Sequence, residues 1–240
     1  IEEIVFPSTP GAITVGEGSF EACTSLKSVD LVGVNFGGGK EGSARNVFTR
    51  CTSLEYVSFA GSIMTEIPSI FNDCTSLTTV IFPDNVTNIG DQAFYNTGLT
   101  SIVIPETVLT IGGSAFYSCK NLKTVVFSNS VTQIGYYLFN ECSALESITN
   151  LNGVTAISEK AFFNCGKLIE INLPNVTSLG NSVFEGCSSL TRASLPKLAD
   201  LSSTNRQFYG CSSLERVEFS PKLKKVSGAV FYGCESLITS

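Results

Sequence analysis

The chain has 240 residues, a formal net charge of −6, 43% hydrophobic and 15% charged residues, with nine cysteines and no histidine. The acidic balance argues against a nucleic-acid backbone as partner, because phosphate binding needs a basic stripe, and it disfavours anionic membrane surfaces. No apolar run approaches the roughly 20 residues of a spanning helix, and without histidine neither a Ser-His-Asp nor a Cys-His arrangement can be built.

Ile1, Ile4 and Phe6 open the chain with an apolar alternation that returns later as a strand signature. No charged segment leading into an apolar run is seen, so no signal peptide is expected here. The chain begins and stops in mid-repeat, which reads as a processed protein or a fragment of a longer one. Phe20-x-x-Cys23-x-x-Leu26 is then the first of ten copies of F-x-x-C-x-x-L. The later copies start at Phe48, Phe71, Phe94, Phe116, Phe139, Phe162, Phe184, Phe208 and Phe231, spaced 28, 23, 23, 22, 23, 23, 22, 24 and 23 residues apart. A fixed period of this size marks a solenoid, whose units bury their apolar faces only by stacking on one another.

Each copy leads into L-x-x-V/I-x-F/L/I, as in Leu77-Val80-Phe82, Leu99-Ile102-Ile104 and Leu122-Val125-Phe127. The alternation and the β-branched residues predict a short strand. Pro83, Pro105, Pro174 and Pro196 end it by removing a donor and fixing φ. A second extended segment, V-T-x-I-G, follows at Val86–Gly90, Val131–Gly135 and Val176–Gly180. Its last residue (Gly16, Gly90, Gly112, Gly135, Gly180) suits a positive φ, although Ser158 and Ser227 relax the requirement. A small or apolar residue (Ala93, Ala115, Leu138, Ala161, Val183, Val230) then precedes the Phe on a predicted helical turn. The expected fold is an α/β-type solenoid of about ten coils of about 23 residues, short parallel strands alternating with short helical turns, in one domain over residues 1–240.

All nine cysteines occupy one motif position, and Thr97 takes it in the remaining copy. Disulfides fit poorly: the number is odd and the side chains of stacked coils point in parallel. A metal ladder fits worse, since no repeat holds two cysteines. A buried thiol column remains, and Thr97 supports it, because a hydroxyl can replace a packed thiol but not a disulfide partner or ligand. No catalytic, cofactor or metal site is expected.

Three surface features are candidates for partner binding. Between the last two core positions of each strand the outward column is apolar only at Ile81, Val103 and Val126, a stripe over three adjacent coils. Tyr136 and Tyr137 form the chain's single Tyr-Tyr pair. The insertion from Gly37 to Arg45 offers Lys40 and Arg45; its Gly37-Gly38-Gly39-Lys40 lacks the spacing of a phosphate loop. The residues after the motif Phe (Tyr95, Tyr117, Phe163, Tyr209, Tyr232) read as half-buried rings.

The joint pattern L-x-x-V-x-F-P-x-x-V-T-x-I-G-x-x-A-F-x-x-C-x-x-L, near-complete from Phe71 through Phe94 and again from Phe116 through Phe139, resembles the BspA-like leucine-rich repeats of bacterial surface and secreted proteins. The resemblance implies a right-handed leucine-rich-repeat superhelix, a cell-surface or secreted location, and a non-catalytic role in adhesion or in binding a host or neighbouring-cell protein, as a monomer. A structural spacer and a glycan-binding repeat region are the alternatives.

Overall fold

The computed structural model describes residues 2–9, 13–36, 45–201, 205–226 and 228–238. The chain winds as a spiral with two strand-bearing sides joined by a Phe-centred bend. On the first side lie Glu3–Ile4, Ser28–Asp30, Tyr56–Ser58, Thr79–Ile81, Ser101–Val103, Thr124–Val126, Ser147–Thr149, Glu170–Asn172, Arg192–Leu195 and Arg216–Phe219. All pairs are parallel, and the register keeps like opposite like: Val29, Val57 and Val80 in one run, Ile102, Val125 and Ile148 in the next. On the second side the Ile of V-T-x-I-G pairs in the same way, as in Ile67, Ile89 and Ile111, and in Ile134, Ile157 and Leu179. Inward side chains from both sides form one apolar core.

Nine circuits separate the first and last strands of the first side, so the chain makes about nine turns. The expected ten came from counting Phe-centred corners rather than the circuits between them. The two ladders are interrupted, but never at the same level. The first side breaks between Thr79–Ile81 and Ser101–Val103 and between Ser147–Thr149 and Glu170–Asn172, while the second breaks between Val34–Asn35 and Glu66–Ile67 and between Thr110–Ile111 and Gln133–Ile134. The first of these gaps follows the corner Thr97-Gly98-Leu99, one residue shorter than the others. A Cβ on Gly98 would lie 2.4 Å from the Thr75 carbonyl oxygen, so only glycine closes that corner.

The helical turns predicted around each Phe are not there: no helix occurs among the described residues. The residue two after the Phe is left-handed in all ten bends, from Ala22 to Gly233, and the residue two before it in eight. An L-residue helix cannot carry such residues. Alternating right- and left-handed conformations instead send the N–H groups of every second residue to the next coil. Gln92, Phe94 and Asn96 donate to the carbonyls of Gly113, Ala115 and Tyr117 at 3.0, 2.9 and 2.8 Å, and Ser114, Phe116 and Ser118 donate to Tyr136, Leu138 and Asn140 in turn. The glycine column also differs from the expected positive φ. Gly16, Gly90, Gly112, Gly135 and Gly180 lack positive φ. At Gly112 and Gly180 a Cβ would meet the backbone of the preceding coil at 2.4 Å, so close approach is what selects glycine there. Ser227 lies outside the described residues.

Inside the bends the Phe rings stack from Phe20 to Phe231 with centroids 5.3–6.1 Å apart and planes within 6–16°. Phe59, Phe82 and Phe127 meet this stack edge-on from the strand side. Beside it runs the thiol column. All nine cysteines are free. Each Sγ from Cys119 to Cys211 donates to the carbonyl of the Phe one coil back at 3.1 Å, Cys142 to Phe116 and Cys165 to Phe139 among them. Thr97 fills the same place with a different bond, its hydroxyl donating to the carbonyl of its own Phe94 at 3.0 Å and lying 3.3 Å from the Cys119 thiol. Burial pushes the thiols up from an ordinary 9.0, to about 11 at Cys51 and Cys119 and about 12 at Cys187.

Truncating Phe139 to Ala, which removes two stacking partners and an edge contact, should cost about 3–5 kcal/mol in chemical denaturation. An unchanged denaturation midpoint would contradict its place in the stack. Native alkylation at mildly alkaline pH should label the half-buried Cys23 and Cys234 first and spare Cys142 and Cys165; under denaturing, non-reducing conditions all nine should label. Because Cys51, Cys119 and Cys187 ionise near pH 9.0 when unfolded and only at about 11 to 12 when folded, their contribution to stability is full below pH 9.0 and is lost as pH rises through that window.

Candidate functional site

With Phe, Cys and Leu consumed by stacking, the surface divides into a sheet face and a bend face. On the sheet face the column between the core positions is exposed except at Ser58, which is buried and accepts the Ala60 N–H at 3.2 Å, and at half-buried Ser194. Its apolar members stand out into solvent: Ile81 is 40% exposed, Val103 64% and Val126 39%. Val103 and Val126 face each other in register on hydrogen-bonded strands. Ile81 sits one coil earlier, across the gap in the first ladder, so the stripe spans three coils on two sheets. Exposed Ser101 and Thr124 lie in the parallel column two residues earlier, and Thr149 continues the stripe's own column with a polar residue.

On the bend face the two tyrosines part company. Tyr136 is 62% exposed, whereas Tyr137, left-handed at φ 56°, is half-buried with the Lys160 ammonium 5.7 Å from its ring centroid. The aromatic column after the Phe forms short stacks, Tyr95 on Tyr117 at 5.1 Å and Tyr209 on Tyr232 at 4.8 Å, with the Arg206 guanidinium 4.2 Å from the Tyr209 ring. The rings are half-buried as expected, apart from the exposed Tyr232.

The bend face also holds a groove of about 610 Å³ that brings together two of the candidates, Arg45 at one end and Tyr136 at the other. Lys40 lies outside the described residues. Between the ends the floor and walls are Asn46, Ser69, Asn72, Asp91 and Gln92, then Gly113 and Ser114. Arg45, Asp91, Gly113 and Tyr136 all stand three residues before a motif Phe, in different coils. Gly113 supplies no side chain where other coils have Glu159, Asn181 or Asn205, and that missing side chain opens the groove. Pro68 holds the same position in the coil between Arg45 and Asp91, and Ser69 after it is one of two residues at its position that are not left-handed.

Part of this lining is pinned. Asp91 accepts the Gly113 N–H at 2.7 Å through one carboxylate oxygen, Asn72 accepts the Ser69 hydroxyl at 3.3 Å, and Asn46 accepts the Thr49 hydroxyl at 3.3 Å. The Arg45 guanidinium, the Gln92 amide and the Tyr136 hydroxyl make no hydrogen bond to another described residue. Strand and motif periodicity pass over Asp91, Gln92 and Gly113. The signal that would have found them is the column three residues before each Phe, which changes chemistry from coil to coil while the Phe does not.

Residues 1–123, 41–165 and 109–238 match the BspA type leucine rich repeat region, six copies in all. No curated protein matches the sequence. The fold is similar to that of a leucine-rich repeat protein from Bacteroides ovatus, with a TM-score of 0.64 and 24% identity, covering 94% of this chain and 69% of that one. It is also similar to the leucine rich repeat protein of T. pallidum, with a TM-score of 0.53 and 27% identity, covering 79% and 78%. The stacked bends, the parallel ladders and the repeat profile running almost from end to end agree: the chain belongs to the BspA-type leucine-rich repeat family.

Proposed function

We propose that this chain is a non-catalytic binding module of a cell-surface or secreted bacterial protein, and that it engages a host or neighbouring-cell protein through the sheet face, as one solenoid within a longer chain. The observation that carries this reading is the stripe of Ile81, Val103 and Val126, three β-branched side chains held out to solvent on an otherwise polar column. Contiguous exposed apolar surface of this kind marks protein contact sites. The non-catalytic reading is supported by the missing histidine and by thiols that are buried and raised well above neutral pH.

The test is capture on immobilised extracellular-matrix proteins and mucin by the monomeric chain and by the triple variant Ile81→Ser, Val103→Ser, Val126→Ser. Wild type should bind one of the surfaces, and the triple variant should bind it about tenfold or more weakly. Equal binding by the two would reject the stripe. No binding to any surface would favour a spacer that holds another domain away from the cell.

A further inference from the structure

The groove on the bend face has a chemistry unlike that of the sheet stripe, and its occupant is a separate question. Its lining contains no aliphatic side chain. It presents a guanidinium, a carboxylate oxygen left over from the Gly113 bond, side-chain amides at Asn72 and Gln92, a serine hydroxyl and one exposed aromatic ring. A protein partner anchors itself with apolar or aromatic side chains in matching pockets, and none exists here. A phosphate or nucleic acid needs more than one cation, and Arg45 shares the groove with the Asp91 carboxylate in a chain of net charge −6. A ligand with many hydroxyls, each able to donate and accept, and with one weakly polar face to lay on a ring suits amides, a carboxylate and a tyrosine together.

The length fits as well. Arg45 and Tyr136 occupy equivalent positions four coils apart, so at a strand spacing of about 4.8 Å the groove runs on the order of 19 Å along the solenoid. That is room for several linked sugar rings. Gly113 lies one coil from Tyr136 and three from Arg45, where a side chain would obstruct the run. Its backbone is not left-handed, and a Cβ there would meet only ordinary contacts, the Tyr136 carbonyl oxygen at 3.5 Å and the Asp91 carboxylate at 3.9 Å. The glycine therefore answers no folding need that the geometry reveals, while it keeps the groove continuous. The geometry points to an oligosaccharide-binding groove between Arg45 and Tyr136, with the Tyr136 ring stacking on one sugar, Gln92 and Asn72 bonding its hydroxyls, and Gly113 leaving space for the chain.

The test is titration calorimetry of the whole chain against maltotetraose, chitotetraose, sialyllactose and tetragalacturonate at millimolar concentration. At least one should bind. Tyr136→Ala and Gly113→Asn should each weaken that binding roughly tenfold or more, the first by removing the ring and the second by obstructing the groove. Asn occupies the equivalent position at Asn181 and Asn205, so Gly113→Asn should keep the wild-type melting temperature. Tyr232→Ala, which removes an exposed tyrosine elsewhere, and the triple serine variant of the sheet stripe should bind the saccharide as wild type does. Absence of binding to all four saccharides, or binding that survives both groove substitutions, would overturn the proposal. The sheet-stripe reading stands or falls separately, because its variant leaves the groove intact.

Discussion

The rest of the molecule depends on how a coil turns its Phe corner. Two residues of left-handed backbone, one on either side of the Phe in most bends, rotate successive peptides so that alternate N–H groups point along the solenoid axis. The following coil supplies the carbonyls, and the same turn aims the Phe ring into the stack and the thiol at the carbonyl behind it. A single backbone choice therefore sets a hydrogen-bond ladder, a ring stack and a thiol ladder at once. For residues other than glycine that choice has a cost, since left-handed backbone is disfavoured by about 1–2 kcal/mol per residue, and three hydrogen bonds to the next coil offset it.

Much of this was legible from the spacing of residues. The Phe, Cys and Leu columns, the two extended segments and the prolines that end the strands follow from periodicity, because those positions need one chemistry in every coil. The bend backbone was not legible. Its left-handed residues include Ala22, Gln92, Tyr137, Glu141 and Lys160, none of which advertises the conformation as glycine or asparagine would. A small or apolar residue before a Phe reads as helical because the pattern reports which side is buried and not where the N–H groups go. Among the glycines after V-T-x-I, Gly112 and Gly180 serve to let neighbouring backbones approach and not to turn the chain. Tyr136 and Arg45 were found singly, as an exposed ring and a loop cation, but their membership in one groove depends on Gly113 and Pro68 three residues before their own Phe residues.

Repetition separates the surface into two classes of position. Columns that recur unchanged are committed to holding the coils together, and the variation at Thr97 is to a small group that still packs there and satisfies its hydroxyl within its own coil. Columns that change from coil to coil are released from that duty, and both the sheet stripe and the bend groove lie in them. The two occupy different faces and carry opposite chemistry, one aliphatic and one polar. A solenoid can in this way offer unlike partners separate surfaces without either altering the core, because fold and site draw on different residues.

The staggered gaps in the two strand ladders bear on how the molecule responds to force. Wherever the first side is open, the second is paired, and wherever the second is open, the first is paired, while the bends stay bonded through every level from Phe20 to Phe231. A pull along the axis thus meets no cross-section where only side-chain packing resists it. The load passes to the line of Phe corners, whose bonds lie parallel to the tension and share it in series, and extension should proceed coil by coil from an end instead of by fracture in the middle.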